Sequence, residues 1–399
     1  MTPDPYGVRA VPPHGVVPRI RPLPEASAAA LDCLQTGLAL LADHHHGPGT
    51  HLRLGTRPGF RVRSTTPLPT VEATPADRLA EAHRHLGLRV RHRHVVRTGD
   101  PLPPGPGPYY AVADAYHLPW VPYHRQRHME HSFLIECGPT SATVLDAYHN
   151  DTPWGSARPG TWTVPLPRLT GLLTEAGTEL FVLEPVPLAP DEAAAAGPPD
   201  PAAVHHYAGA YRDHPDRAAA YERLNLEVWL QVRAWRLHAL HAGGPGAGEH
   251  AERWQRLSER VYLASRRVER GKGEPPGLFD EFVDLLLSAP PGAAARTPHA
   301  AGDVPAEQAE RAGQAVREAL TAVLRLPPGD LADGRPLSSV PAFNSFRMVD
   351  ILEHIENALG IEVPADELTA DNLRDAGSLR ALVLRHLSAP VGAAAGGRW

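Results

Sequence analysis

The chain has 399 residues, among them 44 Pro and 35 Gly, a length that allows two or three domains and at least one sizeable core. Its 39 Lys and Arg stand against 45 Asp and Glu, a net charge of −6, so there is no basic excess for nucleic acid to exploit. No run approaches the roughly 18 apolar residues of a membrane span, MTPDPYGVRA holds no signal-peptide core, and two cysteines, Cys33 and Cys137, exclude a disulfide framework; a reduced cytoplasm is expected.

Lys272 is the one lysine among the basic residues, and Ala, Pro and His are abundant, as codon drift would produce. That discounts the 23 His as metal ligands, and no metal site is expected. Two Pro- and Ala-rich segments, 187–203 and 289–306, read as linkers and leave three blocks: 20–186, 204–288 and 305–390.

The first block mixes element types. EASAAALDCLQTGLALLADHH, 25–45, predicts one helix, with Leu31, Leu34, Leu38 and Leu41 at helical spacing behind Pro24. HSFLIEC (131–137) and ATVLDAY (142–148) predict two strands joined by a hairpin loop at 138–141. With that loop, Cys137 faces Ala142, His131 faces Tyr148 and Phe133 faces Asp146, which puts His131 and Asp146 on one sheet face as diagonal neighbours. A histidine oriented by a carboxylate is the base that a nucleophile needs.

Cys33 is the nucleophile that chain order offers. Near a helix N-terminus the dipole favours its thiolate, although on the helix alone a buried structural thiol is the simpler reading. Cys137, on the parity of Phe133 and Ile135, reads as core.

The second block predicts helices over 222–241 and 251–270, each an apolar stripe under Arg-rich faces, with packing support as its role. The third is acidic, with 13 Asp and Glu against 8 Arg between 305 and 388. Its helix after Ser345 sets Met348, Val349, Ile351 and Leu352 against Asp350, Glu353 and Glu356.

FNSFRMVDILEHIENALGIEVPADELTADNLRDAGSLRALVLRHL, 343–387, resembles an acyl or peptidyl carrier protein, with 305–326 as its first helix. The resemblance implies a four-helix bundle carrying 4′-phosphopantetheine on Ser345, and an acidic helix that docks on Arg-bearing partners. Carrier proteins usually read Asp-Ser-Leu; here the triplet is Asn344-Ser345-Phe346, which removes one acidic contact for the modifying transferase.

Asp32-Cys33-Leu34-Gln35, Asp114-Ala115-Tyr116-His117-Leu118-Pro119 and the His131-led strand resemble the papain-like cysteine acyltransferases of the butirosin biosynthesis protein H type, over about 20–165. That family takes an acyl group from a carrier thioester to an amine. The resemblance implies an α+β papain-like acyltransferase domain with a helical accessory region, and Cys33, His131 and Asp146 as nucleophile, base and orienting acid. No Gln lies between 20 and 32, where such enzymes often place an oxyanion donor; Gln35 follows the cysteine, so backbone N–H groups of the helix start are the expected donors.

The pieces together predict an amide-forming, carrier-dependent acyltransferase of natural-product biosynthesis. Its expected partners are a phosphopantetheinyl transferase, an adenylating or acyl-loading enzyme and a small-molecule amine acceptor, with no nucleic acid and no membrane. A thioesterase, with water as acceptor, and a non-catalytic scaffold presenting the carrier are the alternatives.

Overall fold

In the computed structural model the described residues are 17–288 without 57, 59, 100–101, 103–106, 190–198 and 244, and then 306–325, 337, 340, 343, 345–363, 367, 372–373 and 375–387. The proposed linker 289–306 lies almost wholly outside them, as do the middle of 187–203 and Asn344. The chain divides into two compact units, Met1–Ala293 and Ala294–Trp399.

The first unit combines helices with an antiparallel sheet. Its strands in chain order are β1 (Leu88–Val95), β2 (Tyr109–Asp114), β3 (Glu130–Cys137), β4 (Ser141–Asp146), β5 (Asn150–Thr152), β6 (Gly155–Ala157), β7 (Gly160–Pro165) and β8 (Glu179–Pro185). Six form one sheet in the order β1-β8-β2-β3-β4-β7, and β5 and β6 make a separate hairpin. The central β2, YYAVAD, is almost entirely buried and so shows no period-2 alternation. The edge strand β1, LRVRHRHV, is largely exposed, and Arg89 and Arg93 form cross-strand ion pairs with Glu184 and Glu179 of β8.

The hairpin register is the one the loop length predicts: Cys137 pairs with Ala142 and Leu134 with Leu145. Strand β4 starts one residue earlier than expected and ends two residues earlier, at Asp146, so the expected His131–Tyr148 pair is not part of the ladder. Asp146 Oδ1 accepts the Tyr148 N–H at 2.9 Å, an Asx-type turn that draws the chain off the sheet.

The expected helix over 25–45 is two helices, α1 (Glu25–Ala28) and α2 (Gln35–His46). The break has a local cause. Asp32 Oδ1 accepts the N–H groups of Leu34 and Gln35 at 2.9 Å, and Gln35 Oε1 accepts the Asp32 N–H at 3.1 Å. These reciprocal bonds, of capping-box type, fold 32–35 into a turn ahead of α2, whose N-cap is Leu34. Helix α2 packs on β3 and β8, and Gly37 admits the close approach: a Cβ there would meet the Tyr110 ring at 3.1 Å. Helices α3 (Pro75–Leu86) and α4 (Leu166–Glu175) complete this part.

Helices α5 (Pro201–Arg212), α6 (Arg217–Ala242), α7 (Pro245–Glu269) and α8 (Leu278–Leu287) belong to the same unit, around a core that includes Tyr207, Tyr211, Trp254 and Phe282. The buried Glu227 of α6 ties them to the segment before α3, accepting from Thr70 Oγ1 at 2.6 Å, the Val71 N–H at 2.7 Å and Tyr207 Oη at 2.6 Å.

In the second unit the described residues hold three helices, α9 (Ala306–Leu324), α10 (Ser345–Leu359) and α11 (Ala376–Leu387). Helix α9 packs on both others, burying Ala312, Val316 and Leu320 along with Ile351, Ile355 and Leu382. Among the described residues, no helix is long and apolar enough to cross a membrane.

Candidate active site and carrier serine

Because α2 begins only at Gln35, Cys33 lies in the turn just before it, not inside a longer helix. Asp32 also forms a partly buried ion pair with Arg78 of α3, which fixes the turn from outside. The Cys33 thiol donates to the Glu130 carbonyl oxygen at 3.3 Å, and Ser132 Oγ donates to the Cys33 carbonyl at 2.5 Å. The cysteine is therefore tied to the two residues on either side of His131. No partner of the Cys33 N–H stands among the described residues.

His131 and Asp146 are both buried and hydrogen-bonded, with Nε2 to Oδ2 at 2.7 Å. The carboxylate can only accept, which assigns the ring proton to Nε2 and leaves a lone pair on Nδ1. That Nδ1 is buried with no hydrogen-bond partner. The Tyr148 ring stands edge-on to the imidazole, centroids 5.4 Å apart. Sequence reasoning put His131 and Asp146 on one face, and the structure joins them directly.

The thiol is held well above its ordinary pKa, first by burial and then by the negative charges of Asp32 and Asp146; Arg233 acts in the opposite sense. A neutral thiol must lose its proton during attack, in place of the standing thiolate expected at a helix terminus.

Sequence reasoning missed the contribution of α6. Arg233 donates to the Leu31 carbonyl, to the His149 carbonyl at 2.7 Å and to Asn150 Oδ1 at 3.0 Å. Trp229 Nε1 reaches the same Asn150 oxygen at 3.3 Å, and Asn150 Nδ2 donates to Tyr123 Oη at 3.0 Å. Nothing in a helix with an Arg-rich face distinguishes the one arginine that turns inward.

Other histidines stand apart. His128 pairs with Asp114 through Nδ1 at 2.6 Å but is largely exposed. His44, His45 and His46 close α2, and among the described residues no three ligands converge on a metal position. Cys137 is half-buried against the core, and burial raises its pKa. Gln35 is committed through Oε1 to the capping box.

In the second unit Ser345 is the first residue of α10, and the positive dipole end of a helix suits a phosphodiester. The helix is less acidic toward solvent than its sequence suggests. Glu353 is buried, Glu356 accepts the Val363 N–H at 2.8 Å, and Asp350 lies 3.6 Å from Arg347.

No curated protein matches the chain. Residues 314–379 match the family model described as the phosphopantetheine attachment site. The C-terminal unit thus contains a carrier domain whose cofactor is 4′-phosphopantetheine, attached covalently to a serine, and whose partners include a phosphopantetheinyl transferase and acyl-loading enzymes.

Proposed function

We propose that the chain is a carrier-dependent cysteine acyltransferase of natural-product biosynthesis, in which Ser345 holds the phosphopantetheine and Cys33, His131 and Asp146 move an acyl group to an amine. The observation that carries this reading is the buried His131–Asp146 pair at 2.7 Å, its Nδ1 lone pair unused, with the Cys33 thiol bonded to the residue before it. The butirosin H-like resemblance of the first block supports the same assignment. When attached, the phosphopantetheine supplies a terminal thiol on which an acyl group travels as a thioester.

The residues act in a defined order. The thiol turns from the Glu130 carbonyl to His131 Nδ1 and loses its proton as Sγ attacks the thioester carbon. Asp146 holds the imidazolium that forms. The Cys33 N–H, in the turn before α2, is the donor available to the developing oxyanion. His131 would then give its proton to the departing thiol of the donor as the donor's C–S bond breaks. An amine nitrogen then attacks the acyl-cysteine, His131 takes the amine proton, and Sγ leaves and is reprotonated. Amide formation from a thioester is downhill, so no nucleotide is consumed.

Intact-mass analysis tests the reading. Protein treated with a broad-specificity phosphopantetheinyl transferase and an acyl-coenzyme A should gain one acyl-phosphopantetheine, absent in Ser345→Ala. Added amine should then release the acyl mass as an amide. Release at the same rate without amine would make the protein a thioesterase.

A further inference from the structure

We propose that Arg233 is a positioning residue for the cysteine chemistry, fastening the turn that carries Cys33 to the turn that carries Asp146 and placing a fixed positive charge beside the thiol. The proposal rests on the cysteine reading above and gives α6 a task beyond packing.

The geometry is specific. One guanidinium nitrogen of Arg233 binds the Leu31 carbonyl, two residues before Cys33. The other binds the His149 carbonyl at 2.7 Å and Asn150 Oδ1 at 3.0 Å, just past Asp146. These two turns come from opposite ends of the sheet unit's sequence, and the planar fork of an arginine spans them in a way that a lysine ammonium cannot. The fork itself is held: it lies over the Trp229 ring at 4.3 Å and the Tyr148 ring at 5.4 Å, and Arg233 is 5% exposed. Tyr148 is also the ring that stands against His131. Arg233 thus touches the supports of all three proposed catalytic groups, while its own nitrogens bond to protein oxygens.

Its charge has a second consequence. The groups whose charge reaches the thiol are Asp32 in its own turn, Glu72 before α3, Asp146 on β4, Tyr123 and Tyr148 from the adjoining loops, and Arg233 from α6, and His131 follows Glu130, whose carbonyl the thiol binds. Three are carboxylates, and Arg233 opposes them. A cation in this place eases departure of the thiol proton, and no bond to substrate is needed for that.

The test uses the full-length protein and iodoacetamide, with Cys33 and Cys137 labelling read separately by peptide mass spectrometry from pH 5 to 10. Arg233→Gln should raise the midpoint of Cys33 labelling by about one pH unit, and Arg233→Lys should keep it near wild type. Positioning is read by a double-mutant cycle at neutral pH. His131→Ala should slow Cys33 labelling about tenfold in the wild-type background and less than about twofold in Arg233→Lys, where the fork is lost. Circular dichroism shows that each variant is folded; if Arg233→Gln is not, the Lys cycle alone decides. A wild-type midpoint in folded Arg233→Gln, or an undiminished His131 effect in Arg233→Lys, would overturn the proposal. Wild-type Cys33 labelling no faster than Cys137 would instead remove the cysteine reading on which it rests.

Discussion

The Cys33 thiol donates to the main-chain oxygen of Glu130, 3.3 Å away, while the Nδ1 of the neighbouring His131 stays buried and unpartnered. The thiol is thus bonded to the main chain next to the proposed base and not to its ring. In this arrangement the thiol rests protonated, in keeping with the upward push on its pKa from burial and from the carboxylates of Asp32, Asp146 and Glu72. The tautomer of His131 is what makes engagement possible, and Asp146 sets the tautomer.

That dependence makes Asp146→Asn an informative variant. Asp146 Oδ1 is held by the Tyr148 N–H at 2.9 Å and Oδ2 by His131 Nε2 at 2.7 Å. An asparagine keeps its oxygen for Tyr148 and turns its NH2 toward His131. The ring must then accept at Nε2 and carry its proton on Nδ1, where it can no longer take one from the thiol. Amide formation should fall by about 10²–10⁴ with little change in melting temperature. Activity within about threefold of wild type would show that Asp146 does not orient the base.

Asp32 separates architecture from electrostatics. Asp32→Asn keeps an acceptor for the Leu34 and Gln35 N–H groups but loses the charge facing Arg78, whereas Asp32→Ala loses both. Urea unfolding should show about 1–2 kcal/mol lost in the first and about 2–4 kcal/mol in the second, since Arg78 retains Glu81 at 2.6 Å. The sign for the thiol is opposite. Removing a negative charge beside Cys33 lowers its pKa, so Asp32→Asn should label faster with iodoacetamide below the midpoint. Slower labelling would contradict the assigned direction.

What the sequence disclosed and what it hid follow from range. The hairpin loop fixes a register, so the meeting of His131 and Asp146 was legible from fifteen residues of local pattern. Helix α2 was legible but its true start was not, because Asp32 and Gln35 sit inside an Ala- and Leu-rich run that periodicity treats as continuous. Strand β1 reads as a charged segment because its stabilising partners, Glu179 and Glu184, lie about ninety residues on. Arg233 bonds to residues 31 and 149–150, and no local pattern encodes contacts of that separation. Glu353 shows the converse error: helical spacing placed it with the exposed acids, and packing buried it.

His250 predicts a pH dependence of stability. It lies against Trp235, centroids 4.1 Å apart, and its Nε2 accepts the Trp254 Nε1–H at 3.0 Å, so protonation would break that bond. Burial, Arg253 and His238 push its pKa down from 6.5 to about 4. The unfolded chain binds the proton near pH 6.5 and the folded chain does not until about 4. The stabilisation is therefore complete above about pH 6.5 and declines as pH falls toward 4, by about 1–2 kcal/mol after allowance for solvent screening. Urea unfolding between pH 7 and 4.5 should show this slope reduced in His250→Gln. Equal slopes would assign the acid sensitivity to other groups.

The last prediction separates the two ends of the chain. If Ser345 holds the carrier cofactor and Cys33 performs transfer, each single variant should be inactive for a different reason. Ser345→Ala gains no mass from the phosphopantetheinyl transferase, yet its Cys33 labels with iodoacetamide as in wild type. Cys33→Ala gains the mass in full and forms no amide. Mixed as full-length proteins, the two should restore product, because each supplies what the other lacks. The restored rate should rise with the product of the two concentrations, whereas the wild-type rate per molecule should not change on dilution, since tethering holds the effective concentration in the millimolar range. A mixture as inactive as its components would confine transfer to one chain. Product from Cys33→Ala alone at the wild-type rate would mean that the amine attacks the donor thioester directly, and the cysteine mechanism would be wrong.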